Sequence, residues 1–209
     1  MNLIIGNLSS LKTAVLPPVL REAIEYDQIL QSLGRGVAAA LQSFCNRKFE
    51  RLVDDTFERS GNTAYISLPR FPVETVSMVE LKYGEAAGWI EQPLNNILSI
   101  NNASGIIEFG YVIGCWTDRV RITYTGGYYA NYIEDADPNP LAGATTVPDD
   151  IVRAWHLQCQ HEIEINNLLG AGSAQALVEG QIKYVRAQQP ELKLLERVRE
   201  MLTPFVRYA

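Results

Sequence analysis

Residues 119–128 read RVRITYTGGY, and residues 147–169 read VPDDIVRAWHLQCQHEIEINNLL. The first stretch alternates apolar and polar residues, which predicts a half-buried strand. The pair Gly126-Gly127 predicts a turn after it, because glycine adopts backbone angles that β-branched residues avoid. In the second stretch, Pro148 suits the first turn of a helix, and the two aspartates after it suit the positive end of the helix dipole. The chain is therefore predicted to run from a strand, through a long loop, into a helix.

The predicted helix has an apolar face wider than one packing contact requires. Gln158, Glu162 and Asn166 lie inside the broad arc that also carries Trp155. Such a face is typical of a helix that packs on its own core on one side and on another chain on the other side. We therefore expect these four residues to form part of an interface between chains.

The rest of the chain predicts helices on both sides of a β region. Residues 26–44 carry apolar side chains in one stripe, which predicts a core-facing helix, and residues 9–16 predict a short helix capped by Ser9 or Ser10. In the long helix, Gly34 and Gly36 indicate either a tolerated kink or the close approach of a neighbouring helix. Residues 49–124 contain short apolar runs separated by turn residues, which predicts a small antiparallel sheet or barrel.

These patterns give an α+β fold class: long helices packed with an inserted small antiparallel β domain, and a helical C-terminal extension with a last helix from Pro190. The predicted division is an N-terminal helical part at 1–48, a β domain at 49–127, a long loop at 128–147, and C-terminal helices with a docking tail at 148–209. We expect the four parts to form one structural unit.

Composition and net charge exclude several classes of protein. The net charge is −6, from 18 basic and 24 acidic residues, which argues against a general nucleic-acid binder. The three cysteines are far apart and odd in number, which favours free thiols in a reducing cytosol. No apolar run approaches the roughly 18 residues that a membrane span needs, so no membrane partner is expected.

The sequence contains no convincing active site, and no cofactor or metal is expected. The two histidines, His156 and His161, stand near Cys159 and Glu164, but five helical positions turn the two imidazoles apart. No serine or cysteine stands in a nucleophile-elbow sequence. The protein is predicted not to be an enzyme.

With these elements placed, the chain resembles the head–tail connector (adaptor) proteins of long-tailed bacteriophages. The resemblance is carried by five segments distributed along the chain. They read FCNRKF at 44–49, LPRFPV at 68–73, ITYTGGY at 122–128, VPDDI at 147–151 and LTPFVR at 202–207. The chain departs from the family in an insertion at 130–146, an enlarged β region and an extended C-terminal portion.

The resemblance implies a structural virion protein, made in the host bacterial cytoplasm and located at the head–tail interface. Such proteins form a ring of about a dozen copies between the portal and the neck or tail-completion protein, and a ring needs two different patches on each subunit. They extend the DNA exit channel, and an acidic chain lets duplex DNA pass without specific binding.

The resemblance also suggests where the partners bind. The C-terminal part is expected to reach the portal and to become ordered there, with aromatic and arginine side chains of the kind enriched at binding hot spots. The predicted portal-docking residues are Leu202, Phe205, Val206, Arg207 and Tyr208. The predicted ring interface comprises Trp155, Gln158, Glu162 and Asn166. The acidic loop residues expected to line the channel or to face the next ring are Glu134, Asp135 and Asp137.

Two other functions remain open from the sequence. One is another ring-forming neck or tail-completion protein, such as a stopper or a tail terminator. The other is a small metal-dependent hydrolase that uses His156, His161 and Glu162.

Overall fold

A computed structural model describes residues 5–129, 145–165 and 192–207 of the chain, and these residues form a mixed α+β fold, as predicted. The described helices are α1 (Leu8–Val15), α2 (Asp27–Phe44), α3 (Asp149–Ile165) and α4 (Glu196–Leu202), with 3-10 turns at Pro18–Leu20, Leu94–Asn96 and Thr203–Phe205. The strands are β1 (Leu52–Ser60), β2 (Thr63–Ser67), β3 (Val73–Lys82), β4 (Trp89–Gln92), β5 (Ile97–Asn101), β6 (Ile106–Ile113) and β7 (Arg119–Gly126). None of the helices in these ranges is long and apolar enough to cross a membrane.

The described residues divide into two compact units. The helical unit contains residues 5–45, 147–165 and 192–206, and the β unit contains residues 46–129, 145–146 and Arg207. The predicted division into four parts that form one structural unit stays a prediction.

The helical unit is built around α3. Trp155 is fully buried, and its indole Nε1 donates a hydrogen bond of 2.8 Å to the carbonyl of Gly34 in α2. A Cβ on Gly6 would lie 2.7 Å from the Trp155 ring, so only glycine fits there without a shift. The rest of the buried interior of the unit is mainly aliphatic. Its largest buried residues include Ile5, Leu11, Leu30, Leu41, Ile151, Val198 and Leu202. Burial of these side chains supplies the main driving force for packing the helices.

The β unit contains two antiparallel sheets instead of the expected single sheet or barrel. Strand order is β1-β7-β3-β4 in the first sheet and β2-β6-β5 in the second. The apolar residues on one face of each sheet share one core, which includes Ile66, Ile107, Ile122 and Tyr124. Two packed sheets bury one face each, and this explains why the strands alternate in burial.

The central strand β7 ends as the sequence predicts. Gly127 has a φ of +103°, and a Cβ there would lie 2.4 Å from the carbonyl oxygen of Glu50. Residues other than glycine rarely adopt this backbone conformation, because their Cβ atom is in steric conflict with the backbone. The turn therefore requires glycine at position 127. The chain that follows β7 is thereby packed against the segment that precedes β1.

Two predicted helix boundaries need correction. The cap of α1 is Asn7 and not Ser9 or Ser10: its Oδ1 accepts a hydrogen bond of 2.7 Å from the backbone of Ser10. The last helix starts at Glu196 and not at Pro190, because the backbone of Leu195 is hydrogen-bonded to a side chain of α3. The other predicted C-terminal helix, at 174–186, lies outside the described residues.

Candidate docking surfaces

The three described members of the predicted ring interface lie on α3, and the chain itself covers two of them. Trp155 and Gln158 have no exposed surface. Gln158 accepts a hydrogen bond of 2.9 Å from the backbone N–H of Leu195 and donates bonds to Lys193 O and Glu162 Oε1. Glu162 is partly exposed, and Asn166 lies outside the described residues. A ring contact through α3 stays a prediction, and of the described members of this set Glu162 is the one that presents surface.

The predicted portal-docking residues occupy the end of the described chain. Leu202 is fully buried within α4, whereas Phe205 and Val206 are partly exposed after the 3-10 turn. Arg207 donates two hydrogen bonds of 2.8 Å to Ser67, one to its side-chain oxygen and one to its carbonyl. Leu202 and Arg207 thus make contacts within the chain, and the expected flexibility of this segment stays a prediction. Tyr208 lies outside the described residues, and docking of this segment on a portal stays a prediction.

The acidic residues expected to line a channel or face the next ring, Glu134, Asp135 and Asp137, lie outside the described residues.

A groove that the sequence did not predict opens on one side of the β unit. It has a volume of about 640 Å³ and lies where the edge strands β1 and β2 diverge. Its walls carry three arginines, Arg59 of β1, Arg119 of β7 and the anchored Arg207. Trp116, in the turn between β6 and β7, also lines the groove and is 80% exposed. We call this site the arginine groove.

The arginine groove carries positive charge that the described residues of the β unit neutralise only in part. Three other arginines of the unit are paired with carboxylates at short distances: Arg70 with Asp55 at 2.6 Å, Arg51 with Glu74 at 2.7 Å, and Arg121 with Glu58 at 2.8 Å. In the groove, by contrast, Arg119 reaches Glu58 only at 3.8 Å, and Arg59 has no ion pair within the described part of the chain.

The charges of the groove also act on one another. Burial lowers the pKa of the Arg207 guanidinium, Tyr124 opposes this shift, and the positive charge of Arg59 lowers the pKa further. A guanidinium stays charged at neutral pH despite such shifts, so the groove is a ready site for anionic groups.

The residues considered for catalysis have structural contacts instead. His156 shares a hydrogen bond of 2.9 Å with the hydroxyl of Ser10, and burial lowers the pKa of its imidazole. Burial, together with the charge of Glu162, raises the pKa of the Cys159 thiol, which disfavours a nucleophilic thiolate. In the described ranges, no three acidic, histidine or cysteine side chains are grouped as a metal site would require.

Sequence reasoning missed the arginine groove because its residues are far apart along the chain. Arg59 and Arg119 are brought together by the antiparallel pairing of β1 with β7, in which Ser60 stands opposite Arg119. The sequence around Arg59 reads FERSGN and contains no motif that signals binding. The groove could have been detected once the pairing of β1 with β7 was known. Among the described residues, the ion pairs formed across these strands include no carboxylate partner for Arg59.

The comparisons identify the fold. No family model matches the chain, and the search of curated proteins finds no match. A chain in the virion of the native gene transfer agent (GTA) particle superposes with a TM-score of 0.58 and 15% identity, over 100% of this chain and 93% of its own length. A chain in the neck of the native GTA particle, computed with C12 symmetry, gives a TM-score of 0.50 and 16% identity, over 95% and 91% of the two chains. The protein therefore shares its fold with chains of these phage-like particles.

Proposed function

We propose that the protein is a non-enzymatic virion component that forms a ring between the portal of a DNA-filled head and the neck or tail. The ring extends the channel through which DNA leaves the head. The observation that carries this proposal is the likeness of fold, over nearly the whole of both chains, to a chain in the C12-symmetric neck of the GTA particle. We therefore assign about twelve copies to the ring.

The segments that resemble head–tail connectors fall at the ends of elements in the structure, which supports the proposal. ITYTGGY at 122–128 forms the end of β7 and the turn at Gly127, and VPDDI at 147–151 begins α3. FCNRKF at 44–49 leads from α2 towards β1. The resemblance thus rests on the positions where the chain changes direction.

Within this proposal, the portal binds the C-terminal segment through Phe205, Val206 and the residues that follow. Both side chains are partly exposed and adjoin the end of α4, so they offer apolar surface to a partner. The acidic loop residues face the channel or the next ring, where a negative wall repels phosphate and lets the duplex slide.

The proposal is tested by imaging the purified protein mixed with its portal. We expect projection images to show an added ring on the portal, with the same axis and about twelve subunits. The portal alone and the protein alone are the controls. Absence of any complex under conditions in which both proteins are folded would contradict the proposal.

A pull-down distinguishes this function from that of a stopper or tail terminator. Tagged portal should retain the protein directly, whereas tagged tail tube should not. Retention by tail tube alone would favour a tail terminator, and retention only by a portal that already carries another ring protein would favour a stopper.

A further inference from the structure

The edge of the β unit opposite the arginine groove carries negative charge and exposed apolar side chains. Strand order β1-β7-β3-β4 places β1, which lines the groove, at one edge of the first sheet and β4 at the other. The β3–β4 hairpin carries the exposed carboxylates Glu85 and Glu91. Tyr83 and Ile90 on the same hairpin are 53% and 51% exposed. We call residues 83–91 the acidic hairpin.

The groove and the acidic hairpin lie at the same end of the sheet. Arg119 stands opposite Ser60 of β1 on one side and opposite Lys82 of β3 on the other, and Lys82 stands opposite Trp89 of β4. A single row of paired residues thus runs across the sheet from the rim of the groove to the base of the acidic hairpin. The two patches therefore lie at opposite edges of one sheet. If neighbouring copies of the protein are related by a rotation about a ring axis, the hairpin of one copy can face the groove of the next.

We propose that the acidic hairpin of one subunit binds in the arginine groove of the next subunit and forms a ring contact. In this contact Glu85 and Glu91 pair with Arg59 and Arg119, and Tyr83 or Ile90 packs on Trp116. The contact rests on the proposed function, since it assigns a specific interface to the proposed ring.

A second copy fits the groove better than a nucleic acid does. A closed ring requires a heterologous contact between two different patches of each subunit, and the two edges of one sheet supply such a pair. The patches also match in charge and each carries exposed aromatic or aliphatic surface, which are the features of an interface centre. A duplex-binding surface would need a longer basic track than three arginines on a chain of net charge −6.

The first test is a charge swap in the complete protein, assembled on the portal. Arg59→Glu should weaken ring formation by at least about tenfold in the protein concentration required, because it places like charges together. Glu91→Arg should have a similar effect. The double variant Arg59→Glu with Glu91→Arg should recover much of the assembly, because each contact regains an opposite pair.

Matched controls separate this effect from misfolding and from net charge. Arg35→Glu and Glu22→Arg change exposed side chains of the helical unit by the same charges and should leave assembly unchanged. Each variant alone should keep the thermal transition of the wild type, since neither Arg59 nor Glu91 has an ion pair in the described ranges. If a variant does not fold, Arg59→Gln and Glu91→Gln test the same contact with smaller changes.

A cross-linking test uses the native thiol beside the groove. Cys115 is exposed next to Trp116, whereas Cys45 and Cys159 are buried. In assembled rings, Glu85→Cys treated with a short bis-maleimide should produce covalent dimers and higher multiples through Cys115 of the next copy. Adding Cys115→Ser should abolish these products, and Glu22→Cys should not form them.

The outcomes separate the inference from the proposed function. Rings that form equally well with Arg59→Glu and with Glu91→Arg, together with no cross-linking, would overturn the inference and leave the proposed function standing. Failure of the wild type to form rings on the portal would contradict the proposed function itself. Loss of duplex DNA binding in Arg59→Glu with unchanged rings would assign the groove to phosphate and also overturn the inference.

Discussion

At the scale of single residues, the helical unit depends on the contact between Trp155 and the backbone around it. The indole of Trp155 fills the space beside Gly6 and donates to Gly34 O. Of the two glycines in α2, Gly34 is therefore the site of close approach, whereas a Cβ on Gly36 would meet no atom within 4 Å. The buried carbonyl of Gly34 obtains a donor that no aliphatic residue at position 155 could provide.

Trp155→Phe should lower the free energy of unfolding by about 2–4 kcal/mol, because it removes this donor and leaves unfilled volume. Denaturant unfolding followed by far-UV circular dichroism measures the change. Trp116→Phe is the matched control, and we expect it to be neutral because Trp116 is largely exposed. Equal stability of the two variants would show that the Trp155 contact contributes little.

The imidazole of His156 makes the stability of the helical unit depend on pH. Burial lowers its pKa below the ordinary value of about 6.5, so the folded state binds its proton only at lower pH than the unfolded chain does. The stability that the folded protein has while His156 is neutral is fully present above about pH 6.5. It is lost as the pH falls towards the pKa of His156 in the folded state.

We therefore expect the wild type to lose stability between about pH 7.5 and pH 5.5, and His156→Gln to lose less over the same interval. Gln160→Ala, an exposed change on the same helix that adds no titrating group, is the control and should behave like the wild type. The measurement is the free energy of unfolding at each pH. A wild-type slope retained in His156→Gln would assign the acid sensitivity to other groups.

At the scale of elements, Gln158 joins α3 to the chain before α4. Its amide satisfies Leu195 N and Lys193 O, two backbone groups that belong to no helix or strand. Partly buried backbone groups of this kind lose stabilisation when they are left without partners. The start of α4 is therefore set by a side chain of another helix, 37 residues away.

Gln158→Met keeps the volume of the side chain but removes its three hydrogen bonds. We expect it to destabilise the protein by about 1–2 kcal/mol, because two partly buried backbone groups lose their partners. Gln160→Met on the exposed face of α3 is the control. Hydrogen exchange should show faster exchange of the Leu195 amide in Gln158→Met, and unchanged protection there would contradict the assignment.

The elements that the sequence predicted well are those with a strong pattern of their own. The helix predicted from Tyr26 is found at Asp27–Phe44, and the strand predicted at 73–81 is found at Val73–Lys82. Strand β1 was predicted only as part of a broad β region, because its sequence LVDDTFERS does not alternate clearly. Two acidic residues of this strand form ion pairs with arginines outside it: Glu58 with Arg121, and Asp55 with Arg70. Pairing with partners distant in sequence, which no local pattern encodes, stabilises this strand.

The same comparison applies to the proposed docking residues, whose role stays a prediction. Phe205 and Val206 follow a helix end in the sequence and have partial exposure in the structure. Trp155 and Gln158 are predicted at an interface because polar residues interrupt an apolar face, and within the chain their polar groups bond to Gly34 O and Leu195 N. A helix covered on two sides by its own chain has the same sequence pattern as a helix at an interface.

At the scale of the whole molecule, the proposed binding to the portal can be tested separately from the stability of the fold. Phe205→Ser with Val206→Ser should reduce portal binding by at least about tenfold while shifting the thermal transition only slightly, because both side chains are partly exposed. Portal pull-down and thermal unfolding measure the two effects. Arg207→Ala is the contrasting variant, since it removes two hydrogen bonds to Ser67 and should act mainly on stability.

If portal binding survives the double serine change, the C-terminal segment is not the anchor. If Arg207→Ala leaves the thermal transition unchanged, the bonds to Ser67 add nothing to the fold.

The assembled ring should not bind duplex DNA tightly. The chain carries a net charge of −6, and a surface that neutralises phosphates would release counterions and lose affinity steeply with salt. We expect no retention of duplex by rings at about 50 mM salt. Tight binding that disappears at about 200 mM salt would contradict an acidic or neutral channel wall.

The way the chain enters and leaves the β unit has a mechanical consequence. The incoming segment at Glu50 and the outgoing segment at Tyr128 run in parallel, joined by bonds of 2.7 Å from Tyr128 N to Phe49 O and 3.0 Å from Arg51 N to Tyr128 O. Tension applied through residues 46 and 129 pulls two parallel segments lengthwise past each other. Bonds arranged in this way share the load and must break together, whereas bonds that are peeled apart break one at a time. The two hydrogen bonds between these parallel segments are therefore expected to resist extension of the β unit by a force applied at its two chain ends.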